Sequence, residues 1–185
     1  MGFLIVVLGR MQLFTEQTIV AILPLARETS LANLARVARL WAIVFIGNMA
    51  GTAAVAALAA FGHVQSEEIL KGMISVSAKL LERNAFGTLM QAIPAGFIIA
   101  SVAWIRSAEN QTAFWIVLVL TLAISLCGFA HVVAGAAEAF LLLWTGVADL
   151  NWVFFGFILP ALLGNIIGGT LLFAFLAHAQ DSQEI

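Results

Sequence analysis

The sequence predicts an all-α membrane protein whose two halves each contain a helix that is broken inside the membrane. Of the 185 residues, 63% are hydrophobic and 10% are charged, and the mean hydropathy is +1.07. Residues 110–137 contain no Asp, Glu, Lys or Arg, so this stretch is long enough to cross a bilayer. Gly128 and Gly135 flank His131 within it, which is typical of a span that breaks near the midplane.

The composition also excludes several classes of function. A net charge of −2 without any polybasic tract argues against a nucleic-acid partner. The single cysteine, Cys127, cannot form an intrachain disulfide and suggests neither a metal cluster nor a thiol catalyst. The sequence contains no HExxH or GxSxG motif, and no second histidine lies near His131. We therefore expect neither an enzyme nor a bound metal or cofactor.

The first half, residues 1–61, is predicted to hold one broken span followed by one full span. Its apolar start is interrupted by residues 10–16, and the apolar pattern resumes at Gln17. The uncharged residues 40–61 then form the full span. Within it Gly47 and Gly51 lie four residues apart, a spacing that lets a neighbouring helix approach closely.

The second half, residues 85–177, is predicted to hold three spans. It follows a polar connection, residues 62–84, whose apolar pattern predicts a short amphipathic helix on the membrane surface. The three spans are a full span at residues 85–105, a broken span at residues 112–144 and a last span at residues 152–177. The broken span is interrupted around His131, and residues 178–185 form a polar tail. We expect the whole chain to be a single transmembrane domain.

An internal repeat relates the two halves. One motif occurs once in each half, as Gly47-Asn48-Met-Ala-Gly51 and as Gly164-Asn165-Ile-Ile-Gly168. Each copy lies in a full span, about 33 residues after the interruption of a broken one. Repeats built with discontinuous helices are the signature of channels and transporters whose site lies between the halves. A repeat of three spans ends on the opposite side of the membrane, so its two copies are inverted relative to each other.

The repeat also predicts a missing element. The second half has three spans and the first half has two, so we expect that the chain holds five of six spans and lacks its first transmembrane helix. Basic residues predict the orientation of the others. Four arginines fall on the side of the C-terminus: Arg27, Arg36, Arg39 and Arg106. By the positive-inside rule this side is cytoplasmic, and the connection at residues 62–84 is extracytoplasmic.

Four motifs together resemble the formate/nitrite transporter family. They are Leu13-Phe14-Thr15, Phe45-Ile-Gly47-Asn48-Met-Ala-Gly51, Gly128-Phe129-Ala-His131 and Leu163-Gly164-Asn165-Ile-Ile-Gly168-Gly169. The resemblance covers nearly the whole chain. It implies an aquaporin-like bundle of six helices in the bacterial inner membrane, assembled as a homopentamer with one pore per subunit. The substrates it implies are small monovalent anions such as formate, nitrite and hydrosulfide.

The resemblance also implies roles for particular residues. His131 corresponds to the central pore histidine of the family, and Thr15 to the loop threonine that faces it. The apolar constrictions of the pore correspond to Leu13, Phe14 and Ile124. Two asparagines, Asn165 and its repeat counterpart Asn48, correspond to polar residues near the vestibule.

Several positions depart from the family pattern. Gln12 stands where an acidic residue is usual, Ile124 where an aromatic is common, and Gly96 where an asparagine is common. The remaining constriction aromatic, on the first half of the broken helix, would lie before Met1. The departures indicate a divergent branch and leave the identity of the anion open.

The hypothesis for the mechanism starts from the cost of desolvation. An anion in an apolar constriction loses its hydration, and a weak acid avoids most of that loss by crossing in its neutral form. We expect His131 to attract the anion and to share or donate a proton. Leu13 and Ile124 would exclude water and bare ions, and Thr15 would offer its hydroxyl. The partners implied are the anion, protons and membrane lipid.

Alternatives remain open from the sequence. His131 can instead be a hydrogen-bonded packing residue between helices. The protein can be an aquaporin-like channel for neutral small solutes, which needs no titratable group, or a truncated chain that transports nothing. Glu138 favours a subunit contact or an interfacial position. Arg10 fits an interfacial position as well as a role in recruiting anions.

Overall fold

The computed structural model describes residues 2–108 and 112–176, and within these ranges all regular structure is helical. The α-helices before the last one are α1 (Gly2–Leu8), α2 (Phe14–Val20), α3 (Ile22–Arg27), α4 (Leu31–Phe61), α5 (Glu67–Ser77), α6 (Ala85–Ala108), α7 (Ala113–Leu126) and α8 (Val132–Trp144). A 3₁₀ turn, Ala78–Glu82, joins α5 to α6. The last helix, α9, comprises π-helical turns at Trp152–Ile158, an α-helical stretch at Leu159–Ile166 and π-helical turns at Ile167–Ala174. The all-α prediction is confirmed.

Within the described residues, three helices are long and apolar enough to cross a membrane: Leu31–Phe61, Ala85–Ser107 and Trp152–Ala174. The apolar helices α7 and α8, and the pair α2 and α3, are shorter. A helix rises about 1.5 Å per residue, so each short helix covers only part of a bilayer. The prediction of a multi-pass membrane protein is thereby confirmed. The predicted polar tail, residues 178–185, lies outside the described residues.

Glycines set the closest helix contact, that of α6 with α9. A Cβ atom built at Gly164 or Gly168 would overlap the carbonyl oxygens of Leu89 and Ile93 in α6. Small residues at this spacing therefore bring the two helix backbones together. On α4 the matching glycines do not act in this way. Among the described residues, no atom of another helix lies within 4 Å of a Cβ built at positions 47 or 51, so no other helix of this chain makes the close contact predicted there.

Both predicted helix breaks are present, but each is shorter than the sequence suggests. The first lies between α1 and α2, and the second between α7 and α8. Thr15 and Glu16, which were assigned to the first interruption, lie in α2 because they find polar partners inside the protein. Gly135 lies within α8, where the ring of Phe157 occupies the space that a side chain would fill.

Candidate functional site

The second break begins where α7 ends in a left-handed turn. The amide of Phe129 donates to the carbonyl of Ile124 at 2.9 Å, and the amide of Gly128 donates to that of Ser125 at 3.1 Å. Gly128 has a φ of 64°. This pair of bonds around one left-handed residue is the Schellman motif, which glycine adopts without steric cost. The motif explains why a glycine stands three residues before His131.

The first break repeats the same turn at the end of α1. The amide of Met11 donates to the carbonyl of Val6 at 2.9 Å, and that of Arg10 donates to the carbonyl of Val7 at 3.3 Å. Here the left-handed residue is Arg10, with a φ of 54°. A side chain in this region is strained, so the first break is less favourable locally than the second.

Asn165 of α9 holds the second break from the side. Its side-chain oxygen accepts from the amide of Val132 at 2.8 Å. Its side-chain nitrogen donates to the carbonyls of Ala130 at 3.0 Å and Ala92 at 2.8 Å. Asn165 is completely buried, and the vestibule position that the family resemblance implies for it stays a prediction. Two of its three hydrogen bonds serve backbone groups at the break, and the third ties the same side chain to α6.

Asn48 of α4 makes the corresponding bonds to the first break. Its side-chain oxygen accepts from the amide of Phe14 at 2.9 Å, and its nitrogen donates to the carbonyl of Gln12 at 3.0 Å. Each asparagine therefore bonds to the residue before and the residue after the N-cap of the following helix. This bridged position is Leu13 in the first break and His131 in the second. The two asparagines found as a sequence repeat are a repeat of structure. Whether the two halves are inverted in the membrane stays a prediction.

His131 occupies that bridged position in the second break and is buried. Its Nδ1 atom accepts a hydrogen bond from the amide of Ala134 at 3.1 Å, which caps the start of α8. With Nδ1 as an acceptor, a neutral ring carries its proton on Nε2. Nε2 lies 2.8 Å from the hydroxyl oxygen of Thr15, which is also buried. The structure thus brings together the two residues that the resemblance pairs, with the ring proton directed at Thr15.

Phe3 is a residue of this site that the sequence did not reveal. Its ring lies edge-on to the imidazole of His131, with the ring centroids 4.9 Å apart. The remaining constriction aromatic was expected before Met1, but Phe3 already places an aromatic of the first half-helix beside the histidine. Its position ten residues before Leu13, within a uniformly apolar stretch, gave no signal.

The predicted constriction residues separate into two groups. Leu13 and Ile124 are buried in one apolar cluster, together with Val7 of α1. Phe14 belongs to another, where its ring lies 5.7 Å from that of Trp41 and 5.2 Å from that of Phe45. Phe14 therefore packs α2 against α4, and its place in a constriction stays a prediction. Adjacent residues at a helix start point in different directions.

Two polar cavities approach the break regions, and they share no lining residue. The His131 cavity, of about 300 Å³, is lined by Ile124, His131, Glu138 and the basic residues Lys79 and Arg83. The Glu16 cavity, of about 370 Å³, has a lining that includes Arg10, Gln12, Glu16, Gln17, Arg106 and Ser107. The basic residues of the two cavities flank opposite ends of α6, which is about 36 Å long at the usual helical rise.

One arginine binds each half-helix that ends at a break. Arg83 donates to the carbonyl of Gly128 at 2.8 Å, and Arg106 donates to the carbonyl of Val7. Cations at the end of a helix satisfy its last carbonyls and its dipole. In the sequence, these arginines lie 45 and 99 residues from their partners, so no local pattern could have found them. Among the described residues, no group of acidic, histidine or cysteine side chains is arranged to hold a metal ion.

The chain is similar to known proteins over almost its whole length. Residues 1–179 match the family described as formate/nitrite transporter. The chain is 32% identical over 179 residues to the inner membrane protein YfdC of Escherichia coli, an alignment that covers 97% of this chain and 58% of that protein. It is 30% identical over 195 residues to the uncharacterized transporter YrhG of Bacillus subtilis, covering 97% and 70% respectively. The chain thus spans little more than half of the E. coli relative. The predicted inner-membrane location agrees with the name of that protein.

Proposed function

Because the chain belongs to the formate/nitrite transporter family, we propose that it carries small monovalent anions of weak acids across the membrane. Formate, nitrite and hydrosulfide are the candidate substrates, and a homopentamer is the assembly that goes with this function. The observation that carries the proposal is the contact between His131 and Thr15. It lies at the end of a basic cavity and beside the apolar cluster of Leu13 and Ile124.

The charge of the His131 cavity suits an anion. Lys79 and Arg83 line it, and Glu138 is its acidic residue among the described ones. An anion drawn in by these cations would reach His131 and the apolar side chain of Ile124, which line the same cavity, and Leu13 lies in the same apolar cluster as Ile124. A bare anion would lose most of its hydration there. A proton shared with the anion lowers that cost, because a neutral acid is far cheaper to desolvate than its anion.

The cap on α8 controls when His131 can become charged. A second proton on Nδ1 would break the hydrogen bond from the amide of Ala134. Loss of such a cap costs about 1 kcal/mol. An anion beside Nε2 can offset this cost through a charge-assisted hydrogen bond, which is about twice as strong as a neutral one. We therefore infer that the ring is neutral at rest and takes up a second proton, from water, on Nδ1 when an anion hydrogen-bonds to its Nε2–H group. The Nε2–H bond can then break and a new bond form between that proton and the anion, which leaves the ring neutral and the acid uncharged.

The test replaces His131 by asparagine in the full chain, reconstituted in liposomes. Asparagine can still cap a helix but cannot titrate. Acid-stimulated formate flux should be lost, whereas nitrate, the anion of a strong acid, should retain its flux or leak faster. His63→Asn is the matched control, because His63 is exposed at the end of α4. Equal pH profiles for wild type and His131→Asn, with flux intact, would make His131 a packing residue and favour a channel for neutral solutes.

A further inference from the structure

Glu16 of α2 forms an ion pair with Arg106 of α6. The carboxylate oxygen Oε1 of Glu16 lies 3.6 Å from Nη2 of Arg106, and the two side chains are 5% and 26% exposed. This distance is an ion pair but is too long for a hydrogen bond. Oε1 is buried, and no donor among the described residues bonds to it. A buried carboxylate oxygen with a charged neighbour but no hydrogen bond can still accept a proton.

Arg106 is held in place independently of Glu16. Its Nη1 atom donates to the carbonyl of Val7 at the end of α1, which leaves Nη2 facing the carboxylate. If Glu16 lost its charge, the guanidinium would therefore stay beside the cavity as an unpaired cation. An unpaired, partly buried cation is a strong binding site for a small anion.

Through the Glu16 cavity, a small solute can reach this ion pair. Arg10, Glu16 and Arg106 are the charged groups that line it among the described residues. Gln12 and Gln17 also line it and are bonded to each other at 2.7 Å. On another side of α2, the titratable group in contact is His131, which reaches Thr15. Glu16 is thus the proton acceptor of this cavity, and it immediately follows the residue that contacts the histidine.

We propose that Glu16 and Arg106 form a dissociation site, where a weak acid that has passed Leu13 and Ile124 in neutral form separates into a proton and an anion. The proposal rests on the proposed function. The O–H bond of the acid breaks and its proton forms a new O–H bond on the Glu16 carboxylate. The electron pair stays on the anion, which replaces the Glu16 carboxylate as the partner of Arg106. One negative charge replaces another, so the net charge of the site does not change.

Both members of the pair are needed for this exchange. An arginine alone would hold any monovalent anion, whether or not it arrived with a proton. A carboxylate alone would take the proton but would repel the anion that remains. Together they favour a solute that brings a proton and an anion at the same time, which is a protonated weak acid. Running in reverse, the same exchange loads an anion with a proton before it enters the apolar cluster.

The test uses Glu16→Gln, which keeps the shape of the side chain but leaves Arg106 without a charged partner. In liposomes, formate flux should fall roughly tenfold, because the variant has no carboxylate to accept the proton of the acid. In detergent, nitrate should raise the melting temperature of this variant but not that of wild type, because a ligand that binds the folded state stabilises it. Glu28→Gln, at an exposed glutamate after α3, should match wild type in both measurements. Wild-type formate flux without nitrate stabilisation in Glu16→Gln would overturn the proposal.

A second variant covers the case in which Glu16→Gln does not fold. Glu16→Gln combined with Arg106→Gln leaves no unpaired charge, so it should fold, lose formate flux and show no stabilisation by nitrate. Wild-type formate flux in this double variant would overturn the proposal. The melting experiment needs no transport. If wild type carries no formate, the proposed function fails, whereas nitrate stabilisation of Glu16→Gln still supports the site and its absence still overturns it.

Discussion

The two breaks share one backbone plan and differ in the side chains placed on it. Both end a half-helix in the same left-handed turn, and both are bridged by an asparagine from a full helix. At the bridged position, however, the first break carries Leu13 and the second carries His131. The left-handed residue is Arg10 in the first and Gly128 in the second.

This difference shows that both breaks require the same backbone hydrogen bonds, whereas the side chain at the bridged position can vary. The backbone plan satisfies the amides and carbonyls that a broken helix leaves unpaired, a requirement that is strict in a membrane. It therefore recurs in both halves. The side chain at the bridged position can differ: Leu13 makes no cap, whereas His131 caps α8 through Nδ1 and keeps Nε2 for Thr15. One half therefore presents an apolar residue and the other a titratable one. The chemistry proposed for the protein arises from this asymmetry.

Replacing the two asparagines should give the largest contrast between the breaks. Asn165→Leu removes three hydrogen bonds from buried backbone groups and should lower the free energy of unfolding by roughly 3–5 kcal/mol. Asn48→Leu removes two bonds at a partly exposed site and should cost about 1–2 kcal/mol. Unfolding in detergent, followed by circular dichroism, measures both. Asn151→Leu, at an exposed asparagine, is the control. Equal losses at the two sites would show that burial does not distinguish the breaks.

The two asparagines also show which features of the breaks could be predicted from the sequence. Asn48 and Asn165 stood out as a repeat, and the breaks before them were predicted to within a few residues. Their contacts were not predictable, because the amides they bind become neighbours only after α4 and α9 have packed against the breaks. The family resemblance implies a position near the vestibule for both asparagines, and the structure adds that they bridge the backbone at the breaks.

Elsewhere in the site, too, the sequence predicted some contacts and not others. The pairing of His131 with Thr15 followed from motifs whose order and spacing are specific. Phe14 was grouped with Leu13 because the two are adjacent in sequence, but the direction of a side chain depends on where the helix starts. The Glu16–Arg106 ion pair joins residues 90 positions apart, and no local pattern signals such a contact.

Substitutions at the left-handed positions should act in opposite directions in the two breaks. Gly128→Ala forces a side chain into a left-handed conformation and should destabilise the protein by about 1–2 kcal/mol. Arg10→Gly relieves the same strain and should stabilise it by about 0.5–1 kcal/mol. Gly72→Ala is the control, because Gly72 lies in α5 with open space around it and should tolerate or favour alanine. If Arg10→Gly destabilised the protein, the arginine side chain would contribute more than its backbone costs.

The smallest effect is expected at Thr15, the residue of the first half that contacts His131 of the second half. Thr15→Val keeps the shape of the side chain but removes the hydroxyl that faces Nε2 of His131. Formate flux should fall by roughly three- to tenfold, about the value of one hydrogen bond, while its pH dependence stays unchanged because a hydroxyl does not titrate in this range. Thr18→Val is the matched control, since Thr18 is buried on the same helix and its hydroxyl donates to the carbonyl of Thr15 at 2.7 Å. A pH profile altered by Thr15→Val but not by Thr18→Val would mean that the Thr15 hydroxyl takes part in proton transfer. Residues from both breaks, Thr15 and His131, would then transfer the proton.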